Sequence, residues 1–316
     1  MHPPARLDLE AFLADLKHEP QPILFIPNPG NAGDALIAHA TRQMFDRLGL
    51  DYVWVNDFWR FDPRGRVIVY GGGGNLVRQY ADASRALRWA DGNAKRLILL
   101  PHTVGGHDEL LAGLGPEADL ICRDLVSYAH VRDAVRSAGC HLADDLALSV
   151  DARTTLETSP APMSTLPLYG RRLLYRMILK PSWSNTVASP RKLRQSERMY
   201  ASRRSESEQG EAPGTLNAFR TDAERTELPP PPDNLDLSDL FSYGTRTATV
   251  CHTGAQHLLR YLDTFEEVRT NRLHLAIGAA LLGKRVKLHP NAYFKNRAVY
   301  EFSLRDRFPH VEWADA

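Results

Sequence analysis

The feature that most restricts the fold of this chain is an alternation. Between residues 22 and 150, short apolar runs recur, each followed by a segment with helical spacing. Residues 22–27, 52–55, 67–70, 97–100 and 120–122 have the length and composition of buried strands. Residues 34–48, 76–90 and 128–138 place apolar side chains at intervals of three and four, which predicts helices between them. Apolar runs without alternation are what a strand covered on both faces requires, so the pattern predicts a parallel sheet with helices on both sides. A second α/β pattern runs from residue 216 to the end. Its predicted strands are 216–219, 247–251, 265–268 and 285–288, with helices over 254–262 and 271–282. Two such units facing each other place a cleft between the carboxyl ends of their strands, where open α/β folds bind ligands. The expected organisation is a first Rossmann-like domain over residues 1–150, a variable basic insertion over 151–214, and a second Rossmann-like domain over 215–316.

Composition narrows the classes of partner. A chain of 316 residues has room for two domains of ordinary size. The net charge of +1 gives no global attraction to polyanions, so no nucleic-acid partner is expected. Cys122, Cys140 and Cys251 are far apart, odd in number and without a CxxC spacing. That fits a reducing compartment, with neither a disulfide framework nor a cysteine zinc site. The start, Met1-His2-Pro3-Pro4-Ala5-Arg6, leads into a short amphipathic stretch and not an apolar signal core. No run approaches the roughly 20 apolar residues of a membrane span. The expected location is cytoplasmic. From residue 171 to residue 204 there are ten Lys or Arg and one acid, Glu197. Two readings fit this stretch: an arm that touches anionic lipid headgroups or a polyanionic acceptor, or a solvated helical insertion packed on its own domain. The prolines at 229–232 read as a stiff surface loop.

The motifs fall at the ends of the predicted strands. Asn28-Pro29-Gly30-Asn31-Ala32-Gly33-Asp34 links the first strand to the first helix. Its spacing is not the dinucleotide fingerprint, so a nicotinamide site is not expected. Two roles fit Asp34: cap of the helix, or a carboxylate that binds or deprotonates an acceptor hydroxyl. Tyr70-Gly71-Gly72-Gly73-Gly74-Asn75 is read as a second strand-to-helix loop, where the run of glycines brings bare backbone against a substrate. His102 follows the strand at 97–100, either as a substrate ligand or as a satisfied structural histidine. His107 supplies no third ligand at a recognisable metal spacing, so no metal is expected. Arg123-Asp124 reads as an internal ion pair. Arg220 ends the first strand of the second unit, with Asp222 or Glu224 to orient it, and Lys295 follows the last strand, either as a phosphate contact or as a solvated lysine.

Val268-Arg269-Thr270-Asn271-Arg272-Leu273-His274 puts cations where a short strand gives way to an apolar helix. With Asn271 as N-cap, Arg272 and His274 fall in the first turn, and Gly283 supplies a left-handed C-cap. Helix dipoles favour anions at that end, so clustered cations there point to a negative group that arrives from outside. Surface or ion-paired side chains are the alternative.

Taken in order, Asn31-Ala32-Gly33-Asp34, Gly71 to Asn75, Arg123-Asp124, residues 144–148, Arg220-Thr221-Asp222, Arg272-Leu273-His274 and residues 291–295 resemble the polysaccharide pyruvyl transferases. The resemblance covers both α/β patterns and leaves residues 155–212 without a counterpart. It implies two facing Rossmann-like domains in a GT-B-like arrangement with an interdomain cleft. It also implies phosphoenolpyruvate as donor and co-substrate, with no further cofactor. The implied acceptor is a sugar of a cell-surface or exopolysaccharide, or its lipid-linked oligosaccharide precursor; the basic residues of 171–204, read by themselves, add an expected peripheral contact with the inner face of the plasma membrane. On this resemblance Arg272 and His274 bind the donor, with His274 as ligand or general acid. Arg220 and Lys295 assist with its anionic groups, and Asp34 serves the acceptor. Asn31, Gly33, Gly72, Gly73, Gly74, Asn75 and His102 line the acceptor and backbone loops. The rivals are a GT-B-type glycosyltransferase that uses a nucleotide sugar, and a non-catalytic relative that binds glycan or anionic surfaces.

Overall fold

The structure, a computed structural model, describes residues 4–158, 190–208, 214–222, 224–226 and 229–315. Its contacts divide it into two units. One comprises Met1–Asn28, Ala40–Ser149 and Glu301–Ser303, and the other Pro29–His39, Val150–Tyr300 and Leu304–Ala316.

The first unit holds strands β1 (Ile23–Ile26), β2 (Tyr52–Trp54), β3 (Val67–Tyr70), β4 (Gly73–Val77), β5 (Arg96–Gly105), β6 (Ala118–Cys122) and β7 (Gly139–Leu142). Every pairing is parallel, in the order β2-β1-β3-β5-β6-β7, with β4 attached to β5. β1 and β3 are buried at every position, as their unbroken apolar runs require. Helices α1 (Leu9–Ala14), α2 (Ala32–Leu48), α3 (Asp82–Ala90), α4 (Asp108–Gly113) and α5 (Leu125–Ala134) complete the alternation. Leu24, Ile68, Leu97, Leu99 and Leu120 of the sheet share a core with Ala83 and Leu87 of α3 and Leu110 and Leu111 of α4.

Four expectations need correction here. The helix expected over 76–90 begins only at Asp82, because Gly73–Val77 is strand β4. β3 runs along the first half of β5, with Tyr70 opposite Leu99, and β4 along the second half, with Gly73 opposite His102. Gly71 and Gly72 therefore join two strand segments beside one neighbour, not a strand to a helix. A Cβ on Gly71 would stand 2.7 Å from the backbone nitrogen of Asn28, so the close approach of the two chains demands glycine. The helix expected to reach residue 138 stops at Ala134, and β7 follows. Arg123 pairs with Asp145 at 2.7 Å, both 1 % exposed, and not with Asp124. Asp124 instead caps α5 by accepting from the Ser127 N–H at 2.7 Å.

The second unit contains α6 (Ala152–Glu157), α7 (Pro190–Glu208), β8 (Thr215–Ala218), α8 (Leu237–Leu240), α9 (Ala248–Asp263), β9 (Glu267–Thr270), α10 (Leu273–Leu281), β10 (Arg285–Leu288), α11 (Lys295–Val299) and β11 (Val311–Trp313). Its four strands are parallel, in the order β11-β10-β9-β8. The strand expected at 247–251 is the first turn of α9. Thr247 caps it, its hydroxyl accepting from the Val250 N–H at 3.2 Å. Residues 171–189 of the basic stretch lie outside the described residues. Among the described residues no helix is long and apolar enough to cross a membrane.

Candidate functional site

Because all strands of the second sheet are parallel, the segments that leave β8, β9 and β10 emerge at one edge. Arg220 follows β8, Asn271 and Arg272 follow β9, and the segment from His289 to Lys295 follows β10. Hydrogen bonds hold these exits together. The Arg220 N–H donates to the Asn271 side-chain oxygen at 2.8 Å. The Asn296 amide donates to the carbonyls of Asn271 at 2.7 Å and His289 at 3.0 Å. The Arg272 N–H donates to the Thr270 hydroxyl, which itself donates to Ala218 O. Arg272, not Asn271, is the N-cap of α10, and no side chain caps its first turn. The Asn271 side chain accepts from Arg220 instead of from the α10 N–H groups. Gly283, at φ 71°, ends the helix as a left-handed residue should.

Among the described residues, three cations and three carboxylates meet at this edge. Arg220 forks onto Asp222, with contacts of 2.8 and 3.0 Å, and reaches Glu224 at 2.8 Å. Arg272 Nη2 lies 2.5 Å from Asp236 and 3.1 Å from Asp222. Lys295 Nζ lies 2.6 Å from Glu224. Asp236 also accepts from the Thr221 N–H and hydroxyl. Arg272 Nε is buried and makes no hydrogen bond. Burial works against the charge on Arg220, but Asp222 and Glu224 outweigh it and raise its pKa. Burial likewise opposes the Asp222 charge, yet the bond to Arg220 and the charges of Arg220 and Arg272 bring its pKa down to about 2. Arg269 is not part of the cluster: it pairs along its own strand with Glu267 at 2.7 Å.

The start of α2 belongs to the same unit. The Asn31 side chain accepts from the Gly33 N–H at 2.8 Å, and the Asp34 carboxylate accepts from the Asn31 N–H at 2.9 Å. This is a reciprocal capping box, so one oxygen of Asp34 is engaged in helix capping. Gly33 lies against His274: a Cβ on it would stand 2.4 Å from His274 Nδ1. The structure thus brings Asn31, Gly33, Asp34 and His274 together, on the unit that carries Arg220, Arg272 and Lys295.

Gly72, Gly73, Gly74, Asn75 and His102 belong to the first unit. His102 is fully buried, with Nε2 3.1 Å from the Asn75 N and 3.0 Å from its Oδ1. Burial, reinforced by the Arg123 charge, drives its pKa down to about 3, so the ring is neutral. Asn75 donates to the Tyr70 hydroxyl, which donates to Asn28, both at 3.1 Å. Among the described residues no group of three or more His, Cys, Asp or Glu is placed to hold a metal.

Sequence reasoning did not find Asp236 or Asn296. Asp236 lies 36 positions from Arg272, and nothing in its neighbourhood announces the contact. Asn296 adjoins Lys295 and carries no motif of its own.

The family model for polysaccharide pyruvyl transferase matches residues 31–286. The fold is similar to that of an uncharacterized protein from Klebsiella pneumoniae subsp. pneumoniae NTUH-K2044, with a TM-score of 0.71, 24 % identity and 97 % of each chain covered. No curated protein matches the chain.

Proposed function

Because the chain belongs to the polysaccharide pyruvyl transferase family, we propose that it moves the enolpyruvyl unit of phosphoenolpyruvate onto a sugar of a cell-surface or exopolysaccharide, or onto its lipid-linked precursor, to form a pyruvate ketal. The observation that carries this reading is the gathering of Arg220, Arg272, Lys295 and the uncapped start of α10 at one sheet edge, with His274 alongside. A donor with a carboxylate and a phosphate calls for forked guanidinium groups and a helix N-terminus, and the cluster has two arginines beside a helix start that no side chain caps.

In this reading the methylene carbon of the donor takes a proton, and the adjacent carbon gains oxocarbenium character. One sugar hydroxyl attacks that carbon. A second hydroxyl of the same sugar then displaces phosphate and closes the ketal. The two hydroxyls release two protons: one balances the proton taken by carbon and the other leaves on phosphate. Arg272 and Arg220 hold the donor, Lys295 contacts its phosphate, and His274 is donor ligand or general acid. Asp34 binds or deprotonates the acceptor hydroxyl, and Gly72 to Asn75 form an acceptor surface. The scheme uses no cofactor beyond the donor. The reaction would run in the cytoplasm, at the membrane face that presents lipid-linked acceptors.

The test is incubation with phosphoenolpyruvate and a panel of lipid-linked or model glycosides, with phosphate release as the readout. Arg272→Ala is expected to abolish release while the unfolding midpoint shows that the fold survives. Near wild-type release by that variant would refute the assignment. Stabilisation by UDP or GDP, and none by phosphoenolpyruvate, would instead favour nucleotide-sugar transfer.

A further inference from the structure

The cations of the proposed donor site already have partners within the chain, and those partners are not alike. Among the described residues, Arg220, Arg272 and Lys295 face Asp222, Glu224 and Asp236, so each of these cations has a carboxylate partner. Glu224 and Asp236 are largely buried, with side chains 14 % and 11 % exposed. Asp236 is further fixed by two bonds from Thr221, and Glu224 spans Arg220 and Lys295. Asp222 differs. Its side chain is 43 % exposed, on a bend two residues after Arg220. It grips Arg220 through two parallel bonds and reaches Arg272 with an oxygen of the same carboxylate. Those are the contacts a ligand carboxylate would make at a pair of arginines.

We propose that Asp222 is an internal competitor for the anion position of Arg220 and Arg272, displaced when ligand binds, and that it makes the site select a ligand with two anionic groups over a monoanion. The inference rests on the donor-site reading above and adds a basis for its specificity.

A monocarboxylate that displaced Asp222 would exchange one fork for an equivalent one and gain no contact. It would also compete with a tethered group whose effective concentration is on the order of millimolar or higher. A ligand with a second anionic group gains more. Arg272 Nε is buried without a hydrogen bond, and the first turn of α10 has no side-chain cap. Asp222 bonds to neither, so a second anionic group has donors to gain there that Asp222 does not use. Swinging Asp222 out breaks its bonds from Arg220, Arg272 and the Glu224 N–H, so only a ligand that replaces the arginine contacts can displace it, and its partly exposed side chain has solvent to move into. Glu224 and Asp236 stay in place and keep the guanidinium planes fixed. At neutral pH Asp222 is fully ionised, since Arg220 and Arg272 hold its pKa near 2.

Isothermal titration of wild type, Asp222→Asn and Asp222→Ala with pyruvate, inorganic phosphate and phosphoenolpyruvate tests this. Urea unfolding without anions establishes that each variant is folded, and Asp222→Ala covers the case in which the isosteric amide does not fold. Either variant is expected to bind pyruvate and phosphate about tenfold tighter or more, with a smaller gain for phosphoenolpyruvate, as removal of a tethered competitor requires. The preference for phosphoenolpyruvate over pyruvate shrinks accordingly. Equal or weaker binding of pyruvate and phosphate by both variants would overturn the proposal. If wild type binds phosphoenolpyruvate and neither variant gains, the competitor idea fails alone. If wild type binds no phosphoenolpyruvate but the variants bind phosphate, the competitor stands and the donor reading fails. Absence of binding throughout sinks both.

Discussion

Replacing Gly33 by alanine sets one methyl group against the root of His274. The new Cβ would lie 2.4 Å from His274 Nδ1 and 2.9 Å from its Cβ and Cγ. Carbon contacts settle at about 3.5–4.0 Å, so the shortfall is roughly an ångström. Rotation about χ1 can carry the imidazole away, but it cannot move the His274 Cβ, which is fixed to the backbone of α10. The starts of α2 and α10 must part, or the ring must leave its place. Overpacking of this kind costs about 1–3 kcal/mol. Alanine in a helix regains up to about 1 kcal/mol over glycine, so the net loss of stability is about 0–2 kcal/mol. The effect on function should be larger, because a misplacement of about 1 Å at a catalytic group costs on the order of a hundredfold in rate. The assay pairs urea unfolding with initial rates of phosphate release. The expected signature is a rate loss far beyond what the stability change explains, approaching that of His274→Ala. Gly113→Ala is the control: a Cβ there meets nothing within 4 Å, and rate and stability should be unchanged. Wild-type turnover by Gly33→Ala would refute the placement of His274 in the chemistry.

Gly71→Ala should destabilise the first unit by at least about 2 kcal/mol in urea unfolding, because its Cβ meets the Asn28 backbone nitrogen at 2.7 Å and no side chain can yield. Asp145→Ala removes the carboxylate that faces the buried Arg123 guanidinium and should cost about 3–5 kcal/mol by the same measurement. His102 and His257 have folded-state pKa values lowered by burial to about 3 and about 4, against 6.5 for an ordinary histidine. Their contribution is therefore fully present above pH 6.5 and is lost as pH falls through that value toward 4. Stability should drop by up to about 1.4 kcal/mol per pH unit for each, and His102→Gln should flatten the slope between pH 6.5 and 4.5. Asp222 plays no part in that window, because its depressed pKa moves its loss to below the ordinary carboxylate range near 3.8.

The parts of the fold that were legible are those where local pattern and burial coincide. β1, β3 and β10 stand where the apolar runs put them, and α2 follows its three-to-four spacing. The failures have two physical sources. In Thr247-Ala248-Thr249-Val250-Cys251 the β-branched residues carry a strand preference, but Thr247 acts as a cap and the apolar positions beyond it commit the segment to α9. In β4 the glycines erase the strand signal, and only pairing with the long β5 reveals it. β11 is three residues at the edge of its sheet, too short to declare itself.

At the candidate site the cations were readable and their counter-charges were not, and the difference has a cause. Arg220, Arg272 and Lys295 each follow a strand, so the parallel topology that predicts the strands also predicts that these residues converge. Asp236 comes from a segment between β8 and α8 whose path no periodicity dictates, and its contact with Arg272 exists only in the folded unit. Gly33 and His274 meet for the same reason, across a sequence distance that no local rule spans. A reading of strand ends therefore sees where an anion is wanted, but not that the chain has supplied carboxylates of its own. That omission bears on function. A site read as three open cations would bind any small anion, whereas a site already neutralised by Asp222, Glu224 and Asp236 binds only what can improve on them. The affinity of such a site is set by the difference between ligand and internal carboxylate, and removing one carboxylate should broaden its choice of anion as much as it strengthens binding.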